Sequence, residues 1–418
     1  MADVDVAEAR GVGVSQRVAR TFAALNYYNY RLWFAGQLMS LAGSWMQTTA
    51  QGFLVYQLTG SPAYLGIVGF AAGVPPWLFM LYGGVVADRL SRRTLLVVTQ
   101  TTMMLLAFVL AALTFTHLVQ PWHIVVLSFG VGIANAFDAP ARQSFVLEMV
   151  EREHLTNAIA LNSTMFQTAT VVGPAIAGVL YDVVGPAWCF TINGLSYIAV
   201  IVALLSMRIK PLPANPIHKS TLEDLKEGLR YVRQHALIRT FMLIAAFVSL
   251  FGLAFVTLLP AWAVNILGGD AATNGWMQSA RGLGALAGAL MIASLGNFRS
   301  KGKLLTVGTF AFPLTLLVFA FIRSTPLALI TLVVAGWGFM VLFNMLNTLL
   351  QGIVNDELRG RVLSIYTLTF FGGMPIGSLW AGAVAEQIGE PPTVILGALF
   401  SLAFAAFVFL KMPGVRKL

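Results

Sequence analysis

The sequence is poor in cysteine and in charge, and each shortage excludes a class of protein. Its 418 residues include a single cysteine, Cys189, so no disulfide can form within the chain. Only 10% of the residues are charged, against about 25% in an ordinary soluble domain, and 58% are hydrophobic. This composition excludes a soluble globular domain and indicates a membrane protein.

The signatures of metal and nucleotide chemistry are also missing. No histidines or cysteines lie at metal-ligand spacing. The glycine-rich stretches contain neither a phosphate-binding loop with its lysine nor a dinucleotide fingerprint. We therefore expect no metal, no cofactor, no catalytic residues and no enzymatic activity. The polar character of residues 1–21 also predicts that no cleavable signal peptide is present.

Long apolar stretches dominate the chain. They recur at about 20 residues, the length of a helix that crosses a membrane, whereas the strands of a barrel would be short and alternate in polarity. We predict an all-α membrane protein with twelve transmembrane helices. The predicted spans are residues 32–58, 62–87, 94–118, 123–147, 157–181, 187–207, 239–266, 273–296, 303–322, 326–350, 360–385 and 392–410.

The basic residues predict the orientation of these spans. Of the 26 lysines and arginines, all but Arg281 and Arg323 fall in segments on one side of the membrane. By the positive-inside rule, that side and both termini are cytoplasmic, in the inner membrane of the cell. The net charge of +9 is spread over short clusters between helices, which favours contact with an anionic leaflet and not with nucleic acid.

The chain resembles itself at a period near half its length. Gly60 and Gly268 each end a first helix, and Asp182 and Glu386 correspond at a spacing of 204. This repeat predicts two pseudo-symmetric six-helix halves, residues 1–207 and 239–418, joined by a cytoplasmic linker, residues 208–238. Within the linker, Ser220 and Glu223 predict a capping box. Four apolar residues at helical spacing predict a short amphipathic helix: Leu222, Leu225, Leu229 and Val232. The alternative is that the linker is a plain tether.

Polar stripes along three helices suggest a central cavity. Each stripe follows steps of three and four residues and lies on one helix face, which we expect to point inward because polar groups in lipid are costly. Inter-helix hydrogen bonding is the alternative role for part of each stripe. The stripes are Gln37, Ser40, Ser44, Gln47 and Gln51 in the first helix, Asn135, Asp138 and Arg142 in the fourth, and Asn344, Asn347 and Gln351 in the tenth. Our candidates for contact with a ligand are Gln47, Gln51, Asn135, Asn344 and Asn347.

Three of the charged residues lie away from the very ends of the predicted spans, where charge is expensive and marks function by default. Asp138 and Arg142 are four residues apart and can pair. Asp138 is the candidate for a carboxylate that takes up and releases a proton, and a permanent ion pair is the alternative. Arg281 either attracts an anionic ligand or neutralises a helix end; the sequence leaves both open.

A cluster of charge ends the second span. Asp88 lies where the negative end of the helix dipole disfavours a carboxylate, so it needs a partner. Its neighbours are Arg89, Arg92 and Arg93, and the duplication places Arg359 and Arg361 at the same rim. We predict a clamp between the halves that opens and closes with the cavity. The alternative is a basic loop in which the one acid balances charge.

Small residues line the fifth and eleventh helices and predict close helix contacts. They are Gly173, Pro174 and Gly178 in the fifth helix, and Gly373, Pro375 and Gly377 in the eleventh.

These features together resemble the major facilitator superfamily. Asp88, Arg89 and Arg93 match the loop signature of that superfamily, with Ser91 where glycine is usual, and "VVGPAIAGVL" is similar to the motif of its exporters. "NYRLWFAGQLMSLAGSWMQTTAQGFLVYQLTGSP" is similar to a bacterial branch of enterobactin, macrolide and multidrug exporters. The resemblance implies a cavity lined by the first, fourth, seventh and tenth helices. Phe251, Phe255 and Trp262 would then form its aromatic wall.

The sequence thus predicts a transporter that exports an amphiphilic drug or siderophore by alternating access, driven by protons. We expect a monomer whose partners are a small-molecule substrate, protons and the lipid bilayer. Two alternatives remain: a lipid or lysophospholipid flippase, and a receptor or assembly factor without transport activity.

Overall fold

A computed structural model describes residues 22–208, 221–296 and 300–417, which form helices and short connections without a strand. Twelve long helical segments, α1–α12, follow one another in the chain. They are α1 (Tyr28–Thr59), α2 (Pro62–Arg89), α3 (Arg92–Phe115), α4 (Pro121–Phe145), α5 (Leu155–Val184), α6 (Pro186–Ser206), α7 (Ala236–Asn265), α8 (Ala271–Leu295), α9 (Lys301–Phe321), α10 (Thr325–Ile353), α11 (Asp356–Ile388) and α12 (Glu390–Lys411). A linker helix, Thr221–Gln234, precedes α7.

Ten of these segments are long and apolar enough to cross a membrane. The two others, α1 and α8, have 32 and 25 residues and are long enough, but their polar residues lower their hydropathy. Every predicted span ends within four residues of an observed helix end. The all-helical membrane fold is confirmed. That α1 and α8 also cross the membrane is inferred from their packing among the other helices of the bundle.

Repeated glycines end the helices in both halves. Gly60 after α1 and Gly268 after α7 have φ angles of 62° and 61°, and Gly185 and Gly389 have φ angles of 90° and 84°. Backbone of this kind strains any residue with a Cβ atom, which is why glycine occurs at each of these four turns. The matching geometry is what the internal repeat predicts.

The helices pack into two groups along the chain. In the first group α2 packs on α4, α1 on α5 and α6, and α3 on α6. In the second, α8 and α9 pack on α10, and α9 also packs on α12. Two helix pairs join the groups, α2 with α11 and α5 with α8. These two pairs therefore decide how the halves lie against each other.

The linker helix belongs to the second group. Val232 is buried in its core, and Leu225 packs against the same core, while Leu229 of the predicted apolar stripe is exposed. Gly228 lies close to Ile365 and Arg361 of α11. Ser220 and the side chain of Leu222 lie outside the described residues, so the predicted capping box stays a prediction.

The α7 segment changes its pitch midway. It is α-helical over Ala236–Phe247, π-helical over Val248–Gly252, 3-10 helical over Leu253–Leu258 and α-helical again over Leu259–Asn265. Pro260 lacks the N–H that would bond one turn back, so a regular ladder cannot continue through it. The π turn also faces α11, where a Cβ atom on Gly377 would lie against the Leu250 carbonyl. π turns of this kind often occur at functional sites.

Candidate functional site

The helix pair α2 and α11 is in tight contact at one end of the bundle. A Cβ atom on Gly66 would lie 2.6 Å from the Ser378 carbonyl oxygen, and one on Gly73 would lie 2.9 Å from Cβ of Pro375. Each distance is shorter than real Cβ contacts allow, so only glycine permits the approach. We call this end, which carries the connections after α1, α5, α7 and α11, the closed end.

The pair α5 and α8 closes the same end. Glycines face each other here, since a Cβ atom on Gly178 would lie 2.7 Å from Cα of Ala272 and Gly275 abuts the Pro174 carbonyl. The Ser279 hydroxyl donates to the Val171 carbonyl at 2.6 Å. The predicted small-residue motif thus contributes Pro174 and Gly178 to the contact between halves.

The other members of that motif pack in different places. Gly173 lies against Ala42 and Trp45 of α1, within its own half. Gly373 and Gly377 lie against the π turn of α7, also within their own half. Pro375 alone of the eleventh-helix set reaches the other half, at Gly73.

Two glycines toward the opposite end of the same helices lack such close contacts. A Cβ atom on Gly84 near the end of α2, or on Gly360 near the start of α11, would meet no heavy atom of the described residues within 4 Å. We call this end, which carries most of the basic clusters, the basic end. The tight glycine contacts between the two groups of helices thus lie toward the closed end, and we call this arrangement the wedge.

Two carboxylates lock the closed end, one from each half. Glu386 of α11 accepts hydrogen bonds from the Ser61 hydroxyl at 2.6 Å and from the Ala63 N–H at 3.1 Å, at the start of α2. Asp182 of α5 accepts from the Ala272 N–H at 2.9 Å, at the start of α8. A carboxylate at a helix N-terminus satisfies an unpaired N–H and the positive end of the helix dipole. The internal repeat predicts the matching positions of Asp182 and Glu386, but nothing in the spacing indicates that they cap helices.

A third polar contact crosses the closed end between α1 and α7. The Asn265 amide donates to the Tyr56 hydroxyl at 2.6 Å and to a Glu390 carboxylate oxygen at 2.7 Å. The phenol oxygen of Tyr56 is the acceptor in this contact. The two hydrogen bonds of Asn265 therefore connect α1, α7 and α12.

The predicted stripe on α1 is largely bonded to neighbouring helices. Gln47 is 8% exposed, and its carbonyl oxygen accepts from the Asn193 amide of α6 at 2.7 Å. Gln51 donates to the Ser128 hydroxyl of α4 at 2.7 Å. In this conformation both amides hold the first half together, which is the alternative role that the spacing left open.

Asn135 of α4 and Asn344 of α10 are placed differently. Both are half-buried, and neither forms a hydrogen bond with another residue in the described parts of the chain. Asn347 accepts from Gln351 one turn further along α10 at 3.0 Å. Among the five amide candidates for ligand contact, Asn135 and Asn344 are therefore the two whose amides form no hydrogen bond with a described residue.

The predicted aromatic residues of α7 pack inside the second half. Phe251 lies edge-on to Trp380 at 5.3 Å between ring centroids, and also contacts Phe400. Phe255 is buried and lies between Phe312 and Phe319 of α9. These rings support the core of the half, and Trp262 does so too by stacking on Phe319.

Asp138 is a buried charge that is bonded through both of its carboxylate oxygens. It is 1% exposed, and one carboxylate oxygen accepts from the Thr99 hydroxyl at 2.8 Å and the Gln100 amide at 2.9 Å. The other oxygen lies 3.5 Å from Nε of Arg142, whose side chain is 25% exposed. The network joins α3 to α4, and its exposed member is the arginine.

The charged residues of the predicted clamp have partners on several different elements. Arg92 pairs with Glu148 at 2.7 Å, and Arg93 donates to the Leu205 carbonyl at 2.7 Å, both within the first half. Arg361 pairs with Glu227 of the linker helix at 2.5 Å. Arg359 pairs with Asp356, and Arg89 is exposed. The side chain of Asp88 lies outside what the structure describes, so its partner is not among these contacts.

Arg281 lies in the middle of α8, between the contacts that α8 makes with α5 and α10. Gly282 packs on the Thr170 backbone of α5, and Gly336 of α10 packs on the backbone of Arg281 itself. Nε of Arg281 is buried without a hydrogen-bond partner. The arginine is thus held at the centre of the bundle by backbone contacts on both sides.

Comparisons with known proteins agree with this architecture. The model of the transmembrane secretion effector family matches residues 19–417. The chain is 23% identical to the staphyloferrin A transporter of Staphylococcus aureus over 86% of this chain and 90% of that protein. It is 23% identical to macrolide efflux protein A of Streptococcus pyogenes over 93% of this chain and 96% of that protein.

A solved structure shares the fold. A bacterial homolog to the human lysosomal transporter Spinster, in an inward-facing and occupied conformation, superposes with a TM-score of 0.72 at 15% identity. The match covers 93% of this chain and 98% of that one. The chain therefore spans nearly the full length of the proteins that it resembles.

Proposed function

Because the chain belongs to the transmembrane secretion effector family of the major facilitator superfamily, we propose that this transporter exports an amphiphilic small molecule by alternating access. The observation that supports the proposal is the wedge, in which glycine contacts and two carboxylate caps join the halves at the closed end. A bundle joined at one end has a cavity open at the other. Rocking the halves about the midplane would reverse the opening.

The basic end faces the cytoplasm in this proposal. The positive-inside rule supports that orientation, and it places both termini on the cytoplasmic side of the inner membrane. The conformation is then the one that loads substrate from the cytoplasm or the inner leaflet. Export of a siderophore or a macrolide, which the names of two relatives state for those proteins, is consistent with loading on this side.

The cavity walls supply both polar and apolar contacts. Asn135 and Asn344 approach from different halves and offer amide donors and acceptors that are not used elsewhere among the described residues. Ligand sites are mostly apolar with a few convergent polar groups, and this pairing suits a bulky amphiphile. Gln47, Gln51 and Asn347 would join the site only after their present hydrogen bonds exchange.

The proton gradient is the proposed energy source, and Asp138 is the proposed carrier. Its carboxylate is buried at membrane depth beside an arginine that is partly exposed, so a proton could pass by way of the Arg142 side. When the carboxylate is protonated, Arg142 is released to move with its helix. Asp88 and the arginines at the basic end would close the cytoplasmic side once the cavity faces outward.

Proton flux in proteoliposomes tests the proposal. Purified monomeric transporter is reconstituted with a pH-sensitive dye inside, and a fluorescent macrolide or ethidium is added as substrate. We expect substrate-stimulated proton movement that Asp138→Asn abolishes and that Arg323→Gln, outside the predicted spans, leaves intact. Movement of a fluorescent lysophospholipid without proton flux would instead support the flippase, and the absence of any movement would support a receptor.

A further inference from the structure

The inner face of α8 carries three polar side chains with buried atoms that have no hydrogen-bond partner among the described residues. Asn274 is 0% exposed, and neither its amide nitrogen nor its carbonyl oxygen has a hydrogen-bond partner. Gln278, one turn further on, is 7% exposed and forms no hydrogen bond with any described residue. Arg281 follows after another turn, with Nε buried and unsatisfied. All three lie along one line of the helix surface.

The packing of α8 shows which way this line points. Trp276, Leu283 and Leu290 are exposed and mark the face toward lipid. Gly275 and Gly282 mark the face toward α5, and Gly284 and Gly288 mark the face toward α10. At 100° per residue, Asn274, Gln278 and Arg281 fall opposite the lipid face, between the α5 and α10 contacts. The line therefore points to the centre of the bundle.

No protein carboxylate within the described spans can serve Arg281. Only two charged side chains there lie more than six residues from a helix end, Arg281 and Asp138. Asp138 is already engaged by Thr99, Gln100 and Arg142. Arg281 forms no salt bridge and donates no hydrogen bond to a described residue. A guanidinium at this depth without a counterion is costly, and the cost is removed when an anion binds.

We infer that Arg281, supported by Gln278 and Asn274, is a binding site for a carboxylate of the transported molecule. The inference rests on the proposed transport function and names the substrate class as anionic amphiphiles. The guanidinium offers a planar fork of donors that matches both oxygens of a carboxylate. Gln278, which keeps some exposed surface, satisfies a neighbouring hydroxyl or carbonyl group of the same ligand, whereas Asn274 has none and lies one turn deeper. The rest of the ligand, with its remaining polar groups, would extend toward Asn135 and Asn344 in the wedge.

Binding of a matched pair of probes tests the inference. Pyrenebutanoate carries a carboxylate, and pyrenebutanol has a neutral hydroxyl in its place. Affinities are measured by energy transfer from tryptophan in phosphatidylcholine nanodiscs, with empty nanodiscs as background. We expect wild type to prefer the carboxylate by about tenfold, or about 1.4 kcal/mol. We expect Arg281→Gln to bind both probes equally and Arg281→Lys, which lacks the fork, to keep part of the preference.

The control variant is Arg323→Gln, which removes one positive charge outside the predicted spans and should behave as wild type. Equal affinity of wild type for both probes, or an unchanged carboxylate preference in Arg281→Gln, would overturn the site. Loss of the preference when phosphatidylglycerol is added to the nanodiscs would assign the arginine to a lipid phosphate and also overturn it. Movement of pyrenebutanol in Arg281→Gln proteoliposomes distinguishes failure of the carboxylate site from failure of the transport proposal. Because a neutral cargo does not need Arg281, the variant should still move pyrenebutanol if the transport proposal holds.

Thermal unfolding of the probe-free protein provides a second readout. Because Arg281 has no counterion, Arg281→Gln should melt at the same temperature as wild type or higher. Pyrenebutanoate should raise the melting temperature of wild type and not that of the variant, since a ligand stabilises only the state that binds it. A lower melting temperature of the empty variant would reveal a structural partner for Arg281 and would contradict the inference.

Discussion

Glu386 accepts a hydrogen bond from the Ser61 hydroxyl at 2.6 Å, and this single contact ties the last turn of α11 to the residue that precedes α2. Asp182 makes the equivalent contact with the first turn of α8 in the other direction. The two carboxylates therefore form a pair of related latches at the closed end. Both hold the halves together by capping a helix that belongs to the opposite half.

Removing the latches should shift the transporter toward the conformation that is open at this end. Each cap is worth about 1 kcal/mol, so Asp182→Asn with Glu386→Gln should raise the open population about 5- to 30-fold. Spin labels on Val183 and Ile388, both exposed and one in each half, would report the change as a longer distance. An unchanged distance distribution would show that the glycine contacts alone hold the end closed. Cys189 is the only native cysteine, so labelling needs one replacement.

The glycine contacts can be tested with two substitutions in one helix. Gly66→Ala places a methyl group 2.6 Å from the Ser378 carbonyl and should destabilise the closed end by about 1–3 kcal/mol. Gly84→Ala meets open space and should stabilise α2 by up to about 1 kcal/mol through helix propensity. Melting temperatures of the two variants should therefore change in opposite directions. Equal changes would contradict the wedge.

Asp138 distinguishes a proton carrier from a structural ion pair. Asp138→Ala leaves Arg142, Thr99 and Gln100 without their shared acceptor, and we expect a loss of about 3–5 kcal/mol of stability. Asp138→Asn keeps an acceptor and should fold, but should lose pH-driven substrate movement. Full activity of Asp138→Asn in proteoliposomes would leave only the structural role.

The proposed clamp depends on Asp88. We expect Asp88→Asn to insert and fold as wild type does and to lose most of its transport, because the cytoplasmic side could no longer close. Glu153→Gln removes an exposed acid at the same end and should transport normally. Equal transport activity of the two variants would show that Asp88 only balances charge in a basic loop.

Asp270 makes the start of α8 sensitive to acid. Its carboxylate accepts from the Thr273 N–H at 2.9 Å, and this hydrogen bond is the main cause that lowers the pKa of Asp270. A lowered pKa contributes stability that is complete above the unfolded value of about 3.9 and is lost as the pH falls through the folded value. Wild type should therefore lose more stability than Asp270→Asn between pH 5 and pH 3. Parallel melting curves for the two proteins over this range would contradict the assignment.

Local sequence features were sufficient for the helices. Span length and hydropathy predicted every segment within four residues, because a helix in lipid satisfies its own backbone hydrogen bonds and needs no partner to define its ends. Glycine and proline at the turns also predicted where the helices end, since the conformations at Gly60 and Gly185 require glycine. The depth of Arg281 in its span was likewise readable from position alone.

The neighbours of each helix face were not readable in the same way. Spacing placed Gln47 and Gln51 on one face, but only packing shows that α4 and α6 cover that face, whereas Asn135 and Asn344 stay available. The sequence by itself therefore determined the spans, the repeat and the buried charges. The tertiary structure decided which polar groups form hydrogen bonds between helices and which end of the bundle is closed. The reason is that helical periodicity gives direction around one axis, and the identity of the facing helix depends on how all twelve segments pack.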